Sequence, residues 1–296
     1  MKMPQHRMKR DCETRWSSTY DMLERFMEQF TAVQMVCSED DEFCCPTRSE
    51  LQDLRKLRDI VKPFKEVTTI MSSEKNVTAS SIIYLSVQLL KVANESEIAE
   101  SHPEAFAFAE TLKRSMIHRG FASRATNPTL RMCTILDPRY KTHTFPNAET
   151  VEDARRALYD VAAAVGQEQE TEVSYDIKGS IFDDLDRSIA VKQAATNSTV
   201  GSRMEVDGYL AELPIGRLED PLKWWYQHEE KYPRLYKLVP RYLGIIMNSV
   251  SCERICSKMG LIVNDRRTSL SAQKAGMVCG IAQNLSLFPQ NTTVKF

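Results

Sequence analysis

Eight cysteines and five histidines are the side chains whose chemistry calls for the first test. A structural zinc site needs close ligand pairs, such as CxxC with a later HxxxH, because four donors must converge on one tetrahedral ion. Here Cys44 and Cys45 are adjacent and Cys252 and Cys256 stand one helical turn apart, whereas His6, His102, His118, His143 and His228 are scattered. That layout predicts free thiols and no metal site. No glycine loop is present to cradle phosphate and no GxSxG elbow to raise a nucleophile, so no cofactor is expected. Glu253, in SVSCERICS, falls in the first turn after a capping Ser251, where a carboxylate gains about 0.3 to 1 kcal/mol from the helix dipole. Two sets of basic residues could touch phosphate: Lys2, Arg7, Lys9 and Arg10 near the start, and Arg254, Lys258, Arg266, Arg267 and Lys274 near the end. Such contacts are blind to base sequence and weaken steeply with salt.

The elements that must position these residues read as helices. After TRW, Leu23, Phe26, Met27, Phe30 and Val33 recur at spacings of three and four, with Ser18 and Asp21 as a capping box. A second helix starts at Thr47 with Glu50 three residues on, carries Leu51, Leu54, Leu57, Val61, Phe64, Val67 and Met71, and should kink or split at Pro63. A third spans roughly Ser80 to Val92, a fourth opens at Pro103 and runs through Met116, and ETVEDARRALYDVAAAV forms another with Thr150 and Asp153 as its cap signal. Between the last two sits LRMCTILDPRYK. No strand alternation and no internal repeat emerge.

Composition is that of a globular protein, 42% hydrophobic and 27% charged, enough for one large domain or two small ones. Charge is uneven. Residues 167 to 219 hold eleven acids against five bases, and residues 220 to 296 hold eleven bases against five acids. No run approaches the ~18 apolar residues that cross a bilayer, and MKMPQHRMKR has no apolar stretch behind its charges. The expectation is a soluble intracellular chain with no membrane partner. Three regions follow: a helical one over 1–166, an acidic flexible linker over 167–203 whose low hydrophobicity rarely supports a core, and a C-terminal block over 204–296.

In that block Asp220 and Pro221 start a helix reaching about Glu230, and a second restarts at Pro233. Trp224, Trp225, Tyr226, Tyr232, Leu235, Tyr236, Leu238, Val239, Tyr242 and Leu243 make a dense apolar cluster. At roughly 1.5–3 kcal/mol per buried side chain, it is either a local core or half of an interface. The following SVSCERICSKMGLIVNDRRTSLSAQKAGMVCGIAQNL reads as helix, turn, helix. Ile255, Met259 and Ile262 recur at near-helical spacing on the first; Ala275, Val278, Ile281, Ala282 and Leu285 mark the buried stripe of the second. Gly276 and Gly280, four apart, each cost about 1 kcal/mol relative to alanine and suggest close approach by another element.

The order DPLKWW, YPRLYKLVPRYL, SVSCERICSKMGLIVNDRRTSL over residues 220–285 resembles the C-terminal dimerisation region of hAT-family transposases. ETRWSSTYDML, LDPRYK and EVDGYL resemble further pieces of the family in the same order. The chain departs from the family in IIMNSVSCER, at Pro240 and in MVCGIAQNL, which is drift of the kind a decayed or domesticated transposon copy shows.

The resemblance implies a mainly α fold: a helical insertion domain followed by the C-terminal helical end of an incomplete RNase H-like core. In such transposases a BED zinc finger and two catalytic aspartates precede the stretch present here. Glu253 matches the third acid, and one carboxylate cannot gather the paired metals that RNase H-like cleavage uses. The implied function is therefore pairing rather than catalysis, through Trp224, Trp225, Tyr232, Leu235, Leu238, Ile255, Met259, Val278 and Ile281. The partner would be a second copy or a related hAT-derived chain. Arg15, Trp16, Arg254, Arg266 and Arg267 are the DNA-contact candidates, with non-specific nucleic acid as a further partner and the nucleus as location. The alternative is a fragment of an active DNA-cutting transposase whose zinc finger and first two aspartates lie upstream.

Overall fold

A computed structural model describes residues 6–12, 17–39, 42–73, 76–94, 102–170, 199–262 and 271–284. Arg15, Trp16, Arg266, Arg267, Leu285 and most of the expected linker lie outside the described residues. Among the described residues the regular structure is helical, with no strand, and no helix is long and apolar enough to cross a membrane. The helices are α1 (Ser18–Glu28), α2 (Phe30–Glu39), α3 (Arg48–Met71), α4 (Ile82–Val92), α5 (Pro103–His118), α6 (Pro128–Ile135), α7 (Ala148–Glu170), α8 (199–211), α9 (Pro221–Gln227), α10 (Pro233–Leu243), α11 (Val250–Ile262) and α12 (Ala272–Asn284). They form two compact units, residues 1–246 and residues 247–296.

Local chemistry explains most starts and stops. Thr47 and Glu50 close a full capping box on α3, each side chain satisfying the other residue's free backbone N–H. Pro63 sits inside α3 without splitting it. Asn127 caps α6 through Leu130 N at 3.0 Å, and Pro103, Pro128, Pro221 and Pro233 occupy first turns, where a missing N–H costs nothing. At the end of α5, Gly120 takes φ 74°, the left-handed conformation that lets its N–H and that of Phe121 reach back to Ile117 and Met116.

Three expected caps are placed differently. Ser18 turns its hydroxyl to Asp11 and to the carbonyl of Cys12 in the preceding segment, and Asp21 pairs with Lys65 of the packed helix α3. Asn147 rather than Thr150 supplies the cap of α7, its Oδ1 accepting from Thr150 N at 2.9 Å, while Asp153 binds Arg131 at 2.7 Å. At α11 the side chain of Asn248 accepts from Val250 N at 3.1 Å, so the helix opens before Ser251. The span assigned to the linker is helical at its two ends, residues 167–170 and 199–203.

In the first unit α3 packs against α1, α4 and α5. Ile60, Ala105 and Ala109 fill one small core there, and Leu89, Ala93 and Met116 another. The main core lies between α6, α7, α8, α9 and α10. It gathers Ile135, Leu136, Ala154, Leu158, Val206, Tyr209, Trp225, Leu235 and Leu238, all buried. The second unit is the hairpin of α11 against α12.

Candidate pairing surface

The aromatic cluster resolves as a local core. Trp225, Tyr232, Leu235 and Leu238 are buried within the first unit, and Trp224 is half-buried. The reason lies upstream. α6 ends with carbonyls that its own backbone leaves without partners. Tyr209 Oη donates to the Ile135 carbonyl at 3.0 Å and Trp225 Nε1 to the Leu136 carbonyl at 2.9 Å. The two rings pack at 5.0 Å, and Trp224 meets Trp225 edge-on at 5.1 Å while stacking on His228 at 3.9 Å. Tyr232 Oη donates to Glu212 at 2.7 Å. These residues hold α8, α9 and α10 onto α6.

Two further buried groups, in the motifs EVDGYL and LDPRYK, cap helices from a distance, a role the sequence did not reveal. Glu205 accepts from the backbone N–H groups of Arg234 and Leu235, both at 2.8 Å, so α8 caps the start of α10. Burial pushes the Glu205 carboxyl up, against the opposing pull of those N–H groups. Lys141, buried at φ 47° in the turn after α6, donates to the carbonyls of Tyr209 and Glu212, both at 2.7 Å, and closes the end of α8. Its Nζ also lies 4.6 Å from the Tyr209 ring centroid.

Desolvation brings the Lys141 ammonium down to about 8, with Glu212 opposing the shift, whereas burial keeps the Tyr209 phenol well above its ordinary value. The unfolded chain therefore binds more protons than the fold between about pH 8 and the free lysine value of about 10.4, and stability rises with pH across that window. Lys141→Met removes this rise. Urea denaturation from pH 7.5 to 9.5 should show wild type gaining on the variant, by no more than about 1.4 kcal/mol per pH unit. Parallel curves would refute the burial argument.

In the second unit α12 is apolar on two faces. Ala275 and Cys279, four residues apart, are buried, and the Cys279 sulfur lies 3.9 Å from the Ile255 carbonyl of α11. Ile255 and Met259 on α11 are half-buried. Away from that contact, Met277 and Ile281 on the far side and Val278 on the flank are 58%, 41% and 45% exposed, so of the stripe expected to be buried only Ala275 is buried among the described residues. A methyl group added at Gly276 or Gly280 would meet no atom within 4 Å among the described residues, so the packing of α11 on α12 does not use the close approach their spacing suggests. A helix with apolar residues on opposite faces needs a covering partner on each.

Glu253 is exposed on α11, and its carboxylate accepts from the Ser249 hydroxyl at 2.7 Å, beside the helix start. Arg254 is exposed on the same helix. No group of three His, Cys, Asp or Glu side chains among the described residues is arranged to hold a metal ion. In the first unit a groove of about 560 Å³ is lined by Tyr84, Arg139, Tyr140, Arg217 and Leu218, but Arg139 is committed to Asp137.

Residues 205–285 match the hAT family C-terminal dimerisation region. Over most of its length the chain is similar to two BED zinc-finger proteins. Zinc finger BED domain-containing protein 4 of Homo sapiens is 24% identical across 86% of this chain and 22% of its own length. Zinc finger BED domain-containing protein DAYSLEEPER of Arabidopsis thaliana is 23% identical across 91% of this chain and 40% of its own length. The chain thus spans less than half the length of these relatives. It therefore has a stretch matching the hAT dimerisation region within a longer similarity to BED zinc-finger proteins.

Proposed function

We propose that this hAT-derived chain is a pairing protein that self-associates through the outer face of α12, acts in the nucleus in association with DNA or chromatin, and is not catalytic on its own. One observation carries the reading: within the matched dimerisation region, Met277, Val278 and Ile281 are exposed beside two glycines that face open space. Among the described residues of this unit, α11 packs on the Ala275 and Cys279 side of α12. A second copy supplies the missing cover, in the isologous manner usual for symmetric dimers. On this reading α11 corresponds to the last helix of an RNase H-like core, the helices within 1–166 correspond to the insertion domain, and Glu253 has been left serving a helix start. The BED zinc-finger character of the relatives supports nuclear, DNA-associated work.

Light scattering at tens of micromolar should report a concentration-dependent dimer or larger assembly. The double variant Val278→Asp, Ile281→Asp should weaken it by ten- to a hundredfold, about 1.4–2.7 kcal/mol, with far-ultraviolet circular dichroism unchanged. A strictly monomeric wild type, or a variant that pairs as well as wild type, would sink the claim. DNA cleavage by this chain with magnesium, abolished by Glu253→Gln, would overturn the non-catalytic part.

A further inference from the structure

The solvent side of α9 is apolar. Pro221 and Trp225, one turn apart, form the buried stripe of this helix, whereas Leu222 and Tyr226, also one turn apart, are 44% and 71% exposed. Leu218, 92% exposed, precedes them and forms part of the wall of the groove that also holds Tyr84 and Ile70. Apolar surface therefore continues from α9 onto that rim, and soluble chains rarely leave such a stretch uncovered.

The charges on α9 point the same way. Lys223 stands in its first turn and Glu229 and Glu230 follow its end, all three exposed. That is the reverse of what the helix dipole favours, which is anions at the start and cations at the end. None of the three closes an ion pair among the described residues, and Arg217, exposed ahead of α9, closes none either.

We infer that this surface of α9 docks on the same surface of a second copy, the two helices running antiparallel about a two-fold axis. The inference rests on the pairing reading only for the identity of the occupant, and the surface belongs to the first unit whereas α12 belongs to the second. An antiparallel two-fold contact sets the start of one α9 against the end of the other. Arg217 and Lys223 of each copy then face Glu229 and Glu230 of its partner, and Leu222 faces Tyr226 across the seam. A charge order that is wrong for the helix alone becomes self-complementary, as an isologous contact requires. The stretch that matches the dimerisation region, residues 205–285, includes the whole of α9. With α12 as the other pairing surface, assembly proceeds past the dimer.

Sedimentation velocity of the full chain tests this, with far-ultraviolet circular dichroism to check folding. Wild type should form dimers first and larger species as concentration rises. Lys223→Glu, or Glu229→Lys with Glu230→Lys, should weaken the second step at least about tenfold by setting like charges face to face, leaving the dimer that α12 holds. An equimolar mixture of those two variants should recover the larger species, because a contact between one variant and the other restores opposite signs on both sides of the axis. Leu222→Asp with Tyr226→Asp should stop at the dimer and not recover on mixing with either. A wild type that stops at the dimer, or a mixture no larger than its components, overturns the inference and leaves the α12 reading standing. Pairing that survives Val278→Asp with Ile281→Asp undiminished but falls with Lys223→Glu overturns the α12 reading and supports this one.

Discussion

Replacing Asp137 by alanine is expected to remove about 3–5 kcal/mol of stability, read as a lower urea midpoint with an unchanged slope. Asp137 is fully buried, and its carboxylate is saturated. It accepts from Arg139 Nε at 2.9 Å, Arg139 Nη2 at 2.7 Å, Arg139 N at 3.0 Å and Ser80 Oγ at 2.6 Å. The guanidinium, itself only 9% exposed, also donates to the Val77 carbonyl at 3.0 Å. Burial alone would lower the pKa of Arg139, yet hydrogen bonding and charge from Asp137 leave it raised, so the cation depends on this partner. Truncation strands a buried charge, which is why the cost exceeds that of a lost hydrogen bond.

The pair also ties the segment before α4 to the turn after α6, so its loss should loosen both. Asp137→Asn keeps the shape and should cost less than alanine. Pairing Asp137→Ala with Arg139→Met should recover much of the loss, because no charge is then left alone. An alanine variant within about 1 kcal/mol of wild type would show that water reaches Arg139 and that the network is peripheral.

What could be read in advance was local. The Thr47–Glu50 box, the Asp220–Pro221 start and the proline that opens α5 all depend on residues within one turn, and the structure has each of them. The absence of strand alternation agrees with a mainly helical chain. Lys141 and Glu205 were not legible as core residues, because the backbone groups they bind lie 29 to 71 residues away; Asp137 has Arg139 two residues on, but Ser80, which completes its bonding, lies 57 residues upstream. The motifs that hold them, LDPRYK and EVDGYL, carried the family resemblance but not what their charged side chains bind. The same distance explains why the aromatic block allowed two readings: the carbonyls that Trp225 and Tyr209 satisfy belong to α6, 89 and 74 residues upstream. Ser18 shows the converse, a plausible local cap diverted by Asp11 and Cys12.

That placement changes what a tryptophan variant can reveal. Trp225→Ala should destabilise the first unit by about 3–5 kcal/mol, since it empties a site with no solvent exposure and leaves the Leu136 carbonyl without its donor. Trp225→Phe keeps most of the packing against Tyr209 and Trp224 and should cost about 1–3 kcal/mol for the lost N–H and the small void. Any drop in assembly seen with the alanine form would then mix unfolding with pairing, so the phenylalanine form is the informative one. Measured well below its melting midpoint, it should self-associate as wild type does, while Val278→Asp with Ile281→Asp pairs poorly at full stability. Were Trp225→Phe instead to lower self-association tenfold with little change in urea midpoint, the indole would be an interface group, and the core assignment of the aromatic block would have to be given up.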